Sequence, residues 1–269
     1  MKNILSFDVE AWCDSFFVKN KDELLKEGNR VEIGVKKILE LLEPKQIKAT
    51  FFIVGKLAEE DPEIVKMIDN AGHEVASHSY SHKPVSSLSP EEFKEDLLRS
   101  IKVLKDITGK DVLGFRAPGY TITKDTLWAL DIIKDCGLKY DSSIYPVSLR
   151  LFTRGGVAGF PQKHFQIREG LKEFPLITTD LFGIKVPIAT TSYFRLFPYL
   201  ITKWAVKRLN NKGIGATLNY HSWEFDPKQP KVKLPFPQNI KHYANLKLTE
   251  KRFTRLINDF NFVPCREAL

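Results

Sequence analysis

Cysteine is scarce in this chain. Three thiols, Cys13, Cys136 and Cys265, lie far apart and odd in number among 269 residues, which argues against a disulfide framework and fits a reducing compartment. No apolar run is long enough to span a bilayer. The first residues enter a strand pattern at once, with no basic leader, apolar h-region or cleavage site, so a cytoplasmic location is expected. Any recognised nucleic-acid motif is also missing. The net charge of +8 is therefore assigned to other anions, such as acidic glycans, nucleotide sugars, lipid-linked diphosphates or membrane surfaces.

What is present reads as one globular domain over residues 1–269, because 43% hydrophobic content at this length buries a large core. Strand patterns at 3–8, 48–54 and 73–77 alternate with helices. Val31, Val35, Ile38, Leu39 and Leu42 share one face of a helix over 31–43 that Pro44 stops. Asp61-Pro62-Glu63 opens a second helix with Asp61 as N-cap. Ser89-Pro90-Glu91-Glu92 opens a third, whose Phe93, Leu97, Leu98, Ile101 and Leu104 face the sheet before Gly109 ends it. The order βαβα predicts a parallel sheet. Beyond about residue 145 the alternation weakens, with Gly155-Gly156 and several prolines marking loops. The segment 192–210 carries Phe194, Leu196, Phe197, Leu200, Ile201, Trp204 and Val206 beside Arg195, Lys203, Lys207 and Arg208. It reads either as a core helix or as an interfacial helix making peripheral membrane contact.

The chemistry concentrates in two places. His78 and His82 stand at i and i+4, a spacing at which a helical turn brings both imidazoles to one ion. Asp8 and Glu10 follow a short apolar strand, Asn3 to Phe7, and point to one side of an extended chain. Taken alone, the histidines are as readily structural and the acids as readily solvated. Together they make a His/His/carboxylate site with one acid left over as a base, a donor set that suits catalytic zinc and is also accepted by cobalt, nickel or iron.

In order along the chain, Ser6-Phe7-Asp8-Val9-Glu10, Ala49 to Gly55, Ala71 to His82, Arg116-Ala117-Pro118-Gly119-Tyr120 and Leu218-Asn219-Tyr220-His221 resemble the motif series of the polysaccharide deacetylases. These are the NodB-homology or carbohydrate esterase family 4 group. Tyr140-Asp141-Ser142-Ser143, Tyr193-Phe194-Arg195-Leu196 and His221 to Pro227 resemble its bacterial exopolysaccharide-locus branch. The resemblance implies an α/β fold, a distorted (β/α) barrel of about seven parallel strands with a loop-rich, aromatic C-terminal embellishment. It also implies a metal-dependent N-deacetylase acting on an N-acetylated sugar in a polysaccharide or lipid-linked glycan intermediate.

By that resemblance Glu10, His78 and His82 are the metal ligands, Asp8 the base, Arg116 its partner and His221 the general acid. Gly119, Tyr120 and Trp223 are the expected substrate contacts, with a backbone N–H near Gly119 or Tyr120 facing the oxyanion. Asp141 or Asp180 would tune the acid histidine. One position departs from the family pattern: Val9, without a donor atom, stands where the second motif aspartate is usual, which makes Glu10 the replacement ligand. On the residues alone, Arg116 also reads as a turn-flanking surface arginine and His221 as a hydrogen-bonded core histidine. His73 is expected to pack structurally, and His164 and His242 carry no assignment. A hydrolase of another C–N bond, in a formamide or cyclic amide, and a non-catalytic sugar-binding relative remain alternatives.

Overall fold

Every residue of β1 (Asn3–Val9) is buried, because the strand is hydrogen-bonded on both sides. β10 (Thr217–His221) runs parallel on one side and β2 (Thr50–Ile53) on the other, while β11 (Phe262–Val263) pairs with Asn3 and Ile4. The sheet continues through β3 (Glu74–Ser77), β4 (Gly114–Phe115), β5 (Tyr140–Asp141) and β7 (Leu171–Glu173), all parallel. An antiparallel β6 (Phe165–Arg168) closes the row. The result is a curled, mainly parallel half-barrel of the expected (β/α) type. This computed structural model describes residues 1–14, 18, 24, 30–147, 156–181, 184–188 and 190–269, so Gly155 of the expected loop signal lies outside the described residues.

Helices follow the early strands as the periodicity predicts: α1 (Val31–Leu42), α2 (Gly55–Glu60), α3 (Pro62–Asn70), α4 (Pro90–Thr108) and α5 (Ala129–Asp135). Ser89 and Glu92 form a reciprocal capping box on α4, and Gly109 ends it in the left-handed region at φ 68°. Two local expectations are corrected. Leu98 is 44% exposed, because it lies one residue, about 100° of turn, beyond the inward Leu97. Asp61 occupies the N-cap position without a side-chain capping bond; the same residue ends α2, its N–H donating to Leu57 O, so its backbone serves two helices at once.

The C-terminal half decorates less and builds more than its weak periodicity suggests. It supplies β6, β7, β10 and β11 to the main sheet, a separate hairpin of β8 (Thr178–Leu181) and β9 (Ile184–Pro187), and four helices: α6 (Thr191–Leu196), α7 (Tyr199–Asn210), α8 (Gln238–Tyr243) and α9 (Thr249–Asp259). The turn after β10 packs closely on α1. An added Cβ on Gly34 would sit 2.0 Å from the Ser222 carbonyl oxygen, so only glycine lets the helix approach there.

Candidate active site

Six side chains, Asp8, Glu10, His78, His82, Arg116 and His221, converge at the C-terminal ends of β1, β3, β4 and β10, where open α/β sheets gather their chemistry. Asp8 and His221 are register partners on adjacent parallel strands. His78 follows β3 directly, and its Nδ1–H donates to the Arg116 carbonyl at 2.8 Å. That bond fixes the tautomer and turns Nε2 toward Glu10 Oε2 at 3.8 Å and Asp8 Oδ2 at 3.9 Å.

His82 reaches the same point without a helix. The expected helical turn over 78–82 is replaced by a bend in which Ser79 (φ 63°) and His82 (φ 55°) are left-handed. The His82 N–H donates to Ser79 Oγ at 3.0 Å. This brings His82 Nε2 to 2.7 Å from Glu10 Oε2. One donor atom each from Glu10, His78 and His82 lies within 4.8 Å of the others, and all three residues are buried. Burial alone would raise the Glu10 pKa, but His221, His82 and His78 outweigh it and hold the carboxyl well below the usual range. Two imidazole nitrogens and an ionised carboxylate, with one tautomer already fixed, suit a divalent cation. Val9 is fully buried among the core side chains, so it contributes packing and no donor.

Asp8 is held from two directions. Arg116, fully buried rather than at a surface turn, donates from Nη1 to Asp8 Oδ1 at 2.9 Å. Asn219 donates from Nδ2 to Asp8 Oδ2 at 2.7 Å and accepts at Oδ1 from Arg116. Sequence reasoning passed over Asn219. Its signal was present, since Asn219 and His221 alternate with apolar Leu218 and Tyr220 and so share a face of β10.

His221 lies on the other side of the acids, with Nε2 3.8 Å from Asp8 Oδ2 and 3.6 Å from Glu10 Oε1. Its Nδ1 faces Glu224 Oε1 at 3.0 Å, and the same oxygen accepts from the His221 backbone N–H. Burial disfavours charge on this imidazole, but Glu10, Glu224 and Asp8 raise its pKa to about 9. Neither Asp141 nor Asp180 is the partner: Asp141 accepts from the Ser143 N–H and hydroxyl in its own turn, and Asp180 is exposed on β8. The orienting acid is Glu224, three residues past His221. Arg195, expected among basic residues flanking a helix, is instead fully buried, with Nε 2.6 Å from Glu224 Oε2.

The expected substrate contacts divide. The Tyr120 N–H donates to Ala117 O at 3.0 Å within a tight turn, and its hydroxyl accepts from Asn219, so the oxyanion expectation passes to Gly119. Trp223 borders the opening beside His221 while being held by two histidines. Its faces stack on His221 (5.1 Å) and His242 (4.2 Å), and its indole N–H donates to Glu10 Oε1 at 3.1 Å. The opening beside His221 is a cleft that Trp223 lines together with Thr191, Ser192, Leu234, Gln238 and Lys241. His73 accepts from the Ala49 N–H and, buried, has its pKa lowered to about 4, as a packed histidine should.

Comparison with known proteins gives two adjoining matches. Residues 29–140 match the polysaccharide deacetylase family, and residues 142–269 match a domain of unknown function, DUF3473. A peptidoglycan deacetylase of Helicobacter pylori is 31% identical over 137 residues, 51% of this chain and 46% of that protein. A peptidoglycan-N-acetylglucosamine deacetylase of Bacillus cereus is 34% identical over 96 residues, 35% of each chain. The chain thus spans less than half the length of these curated relatives. Among solved structures, a polysaccharide deacetylase described as putative, from Mycobacterium smegmatis, superposes with TM-score 0.62 at 18% identity, over 99% of this chain and 88% of that one. A CE4 family pseudoenzyme from Bacillus anthracis superposes with TM-score 0.53 at 17% identity, over 99% and 64%.

Proposed function

The chain carries a polysaccharide deacetylase (NodB-homology, carbohydrate esterase family 4) domain, and on that premise we propose that it is a metal-dependent N-deacetylase of an N-acetylated sugar. The substrate in this reading is a polysaccharide or a lipid-linked glycan intermediate of surface polysaccharide synthesis, handled in the cytoplasm. One observation carries it: Glu10, His78 and His82 converge on one point while Asp8 and His221 flank it at under 4 Å.

A divalent cation held by those three residues, zinc in this reading, would supply Lewis-acid polarisation of the acetamide carbonyl and acidify a water. Asp8, oriented by Arg116 and Asn219, takes the water's proton at Oδ2. His221, its Nδ1–H directed at Glu224, gives a proton from Nε2 to the departing amine. The Gly119 N–H faces the developing oxyanion. The cleft of Thr191, Ser192, Gln238 and Lys241 takes the sugar on the amine side.

Residues 1–269 act as a single domain in this proposal. Asp8 and Glu10 precede the first matched segment, His78, His82 and Arg116 lie within it, and His221 and Glu224 lie in the second, so neither segment holds the complete set. Metal analysis paired with acetate release from N-acetylated amino sugars tests the reading. Wild-type protein should bind about one equivalent of zinc and release acetate; Glu10→Ala should lose the metal, and Asp8→Asn should keep it while turnover drops roughly a hundredfold to ten-thousandfold. Zinc retained by Glu10→Ala removes the ligand assignment. Metal binding with no acetate from any such sugar favours the non-catalytic alternative that Val9 motivates.

A further inference from the structure

The segment 192–210 resolves into two helices with opposite characters. α6 is internal, with Ser192, Tyr193, Phe194 and Arg195 buried. α7 buries Tyr199, Thr202, Ala205, Val206 and Leu209, which satisfies its packing against the body. Its outer face is left with Leu200 at 74% exposure, Trp204 at 42% and Ile201 at 36%. A shallow groove there is lined by Leu200, Trp204, Lys203, Lys207, Arg208 and Lys212.

We propose that the outer face of α7 is a docking surface for an anionic phospholipid bilayer. The helix is about 18 Å long, with its apolar side chains toward the N-terminal end and cations toward the other. A surface helix lying in the interfacial plane needs that combination. Trp204 stands at the junction, with the Arg208 guanidinium carbon 5.3 Å from its ring centroid, an aromatic and cation pairing suited to the headgroup level. Among the described residues the acid engaged with this face is Asp259, which holds Lys203 at 2.7 Å and interacts with Lys207. Arg208 and Lys212 add positive charge beyond that pair. A second copy of the chain would set the same cations against each other. A nucleic acid would leave Leu200 and Ile201 without a role. α6 leads straight into α7 and lines the cleft beside His221, so docking would hold that cleft at the membrane surface, where a lipid-borne glycan is presented.

Flotation of the intact chain with vesicles tests the surface without requiring metal or turnover, so its failure is separate from failure of the deacetylase reading. Phosphatidylcholine vesicles containing phosphatidylglycerol should carry the protein upward at low ionic strength, pure phosphatidylcholine should not, and added salt should release it. At roughly fivefold per cation, Lys207→Ala with Arg208→Ala should lower partitioning about thirtyfold. Leu200→Ser with Trp204→Ser should also weaken it. Both pairs are exposed, and unchanged circular dichroism will show that folding is intact. No binding to the anionic vesicles, equal binding to neutral ones, or undiminished binding by both variants overturns the proposal.

Discussion

Arg195 Nε and Glu224 Oε2 meet at 2.6 Å with neither side chain reaching solvent. The rest of the guanidinium donates to the Ala244 and Lys241 carbonyls, so the pair ties α6 and α8 to the residue that orients His221. Burial raises the Glu224 pKa, but Arg195 and His221 outweigh it and lower it to about 2. Glu224 is therefore a carboxylate whenever the protein is folded near neutrality. Arg195→Ala strands that charge and should cost about 3–5 kcal/mol, read by urea denaturation, whereas Glu224→Gln should lower the His221 pKa. An unchanged denaturation midpoint would refute the buried-pair account.

The sign of the pH dependence follows from His221 in the metal-free protein. Its folded pKa, about 9, lies above its ordinary value near 6.5. The stability it contributes is complete below about pH 6.5 and disappears as pH rises through about 9. Glu224 works in the opposite direction, with its contribution present above its ordinary carboxylate pKa and lost as pH falls toward 2. Urea midpoints of the metal-free protein should fall between pH 6.5 and 9, and His221→Gln should flatten that decline.

Trp223→Phe separates stacking from hydrogen bonding. Phenylalanine keeps an aromatic ring between His221 and His242 but removes the donor to Glu10 Oε1. Groups that support a ligand from behind typically contribute 10–100-fold in metal affinity, so chelator competition should show a loss on about that scale. Unaltered affinity would mean that the indole hydrogen bond to Glu10 does not support metal binding.

Gly34→Ala tests the contact between α1 and the turn after β10. A methyl 2.0 Å from the Ser222 carbonyl oxygen cannot be accommodated without moving backbone, and overpacking of this kind costs about 1–3 kcal/mol. Because Ser222 follows His221 directly, turnover should fall together with the urea midpoint. A substitution that changes neither would mean that the turn yields freely.

The early βαβα pattern, the α4 caps and the separate motif residues were legible because each depends on a local rule: period, cap chemistry or a strand end. The parts that were missed depend on contacts between distant segments. In the C-terminal half β11 has two residues and β7 three, too short for any alternation to register, so that half looked like decoration. The stacking of Trp223 on His242 was not legible, because nothing in its neighbourhood along the chain reveals that histidine. His82 meets the site through two left-handed residues rather than a helix, a route that i and i+4 spacing does not disclose. Glu224 lies three residues past His221 and takes the role that the family resemblance gives to an aspartate. Arg195 shows why composition misleads: its charge matched its neighbours on α7, while its burial depended on Glu224, 29 residues away.

The pairing of β1 with β10 sets when this protein becomes competent. Ser6 and Asn219, 213 positions apart, sit side by side, and Asp8 meets His221 two residues further along. A nascent chain therefore cannot assemble the centre until β10 has left the ribosome, and closing so distant a pairing is intrinsically slow. A fragment ending just before β10 keeps Asp8, Glu10, His78 and His82 but lacks His221.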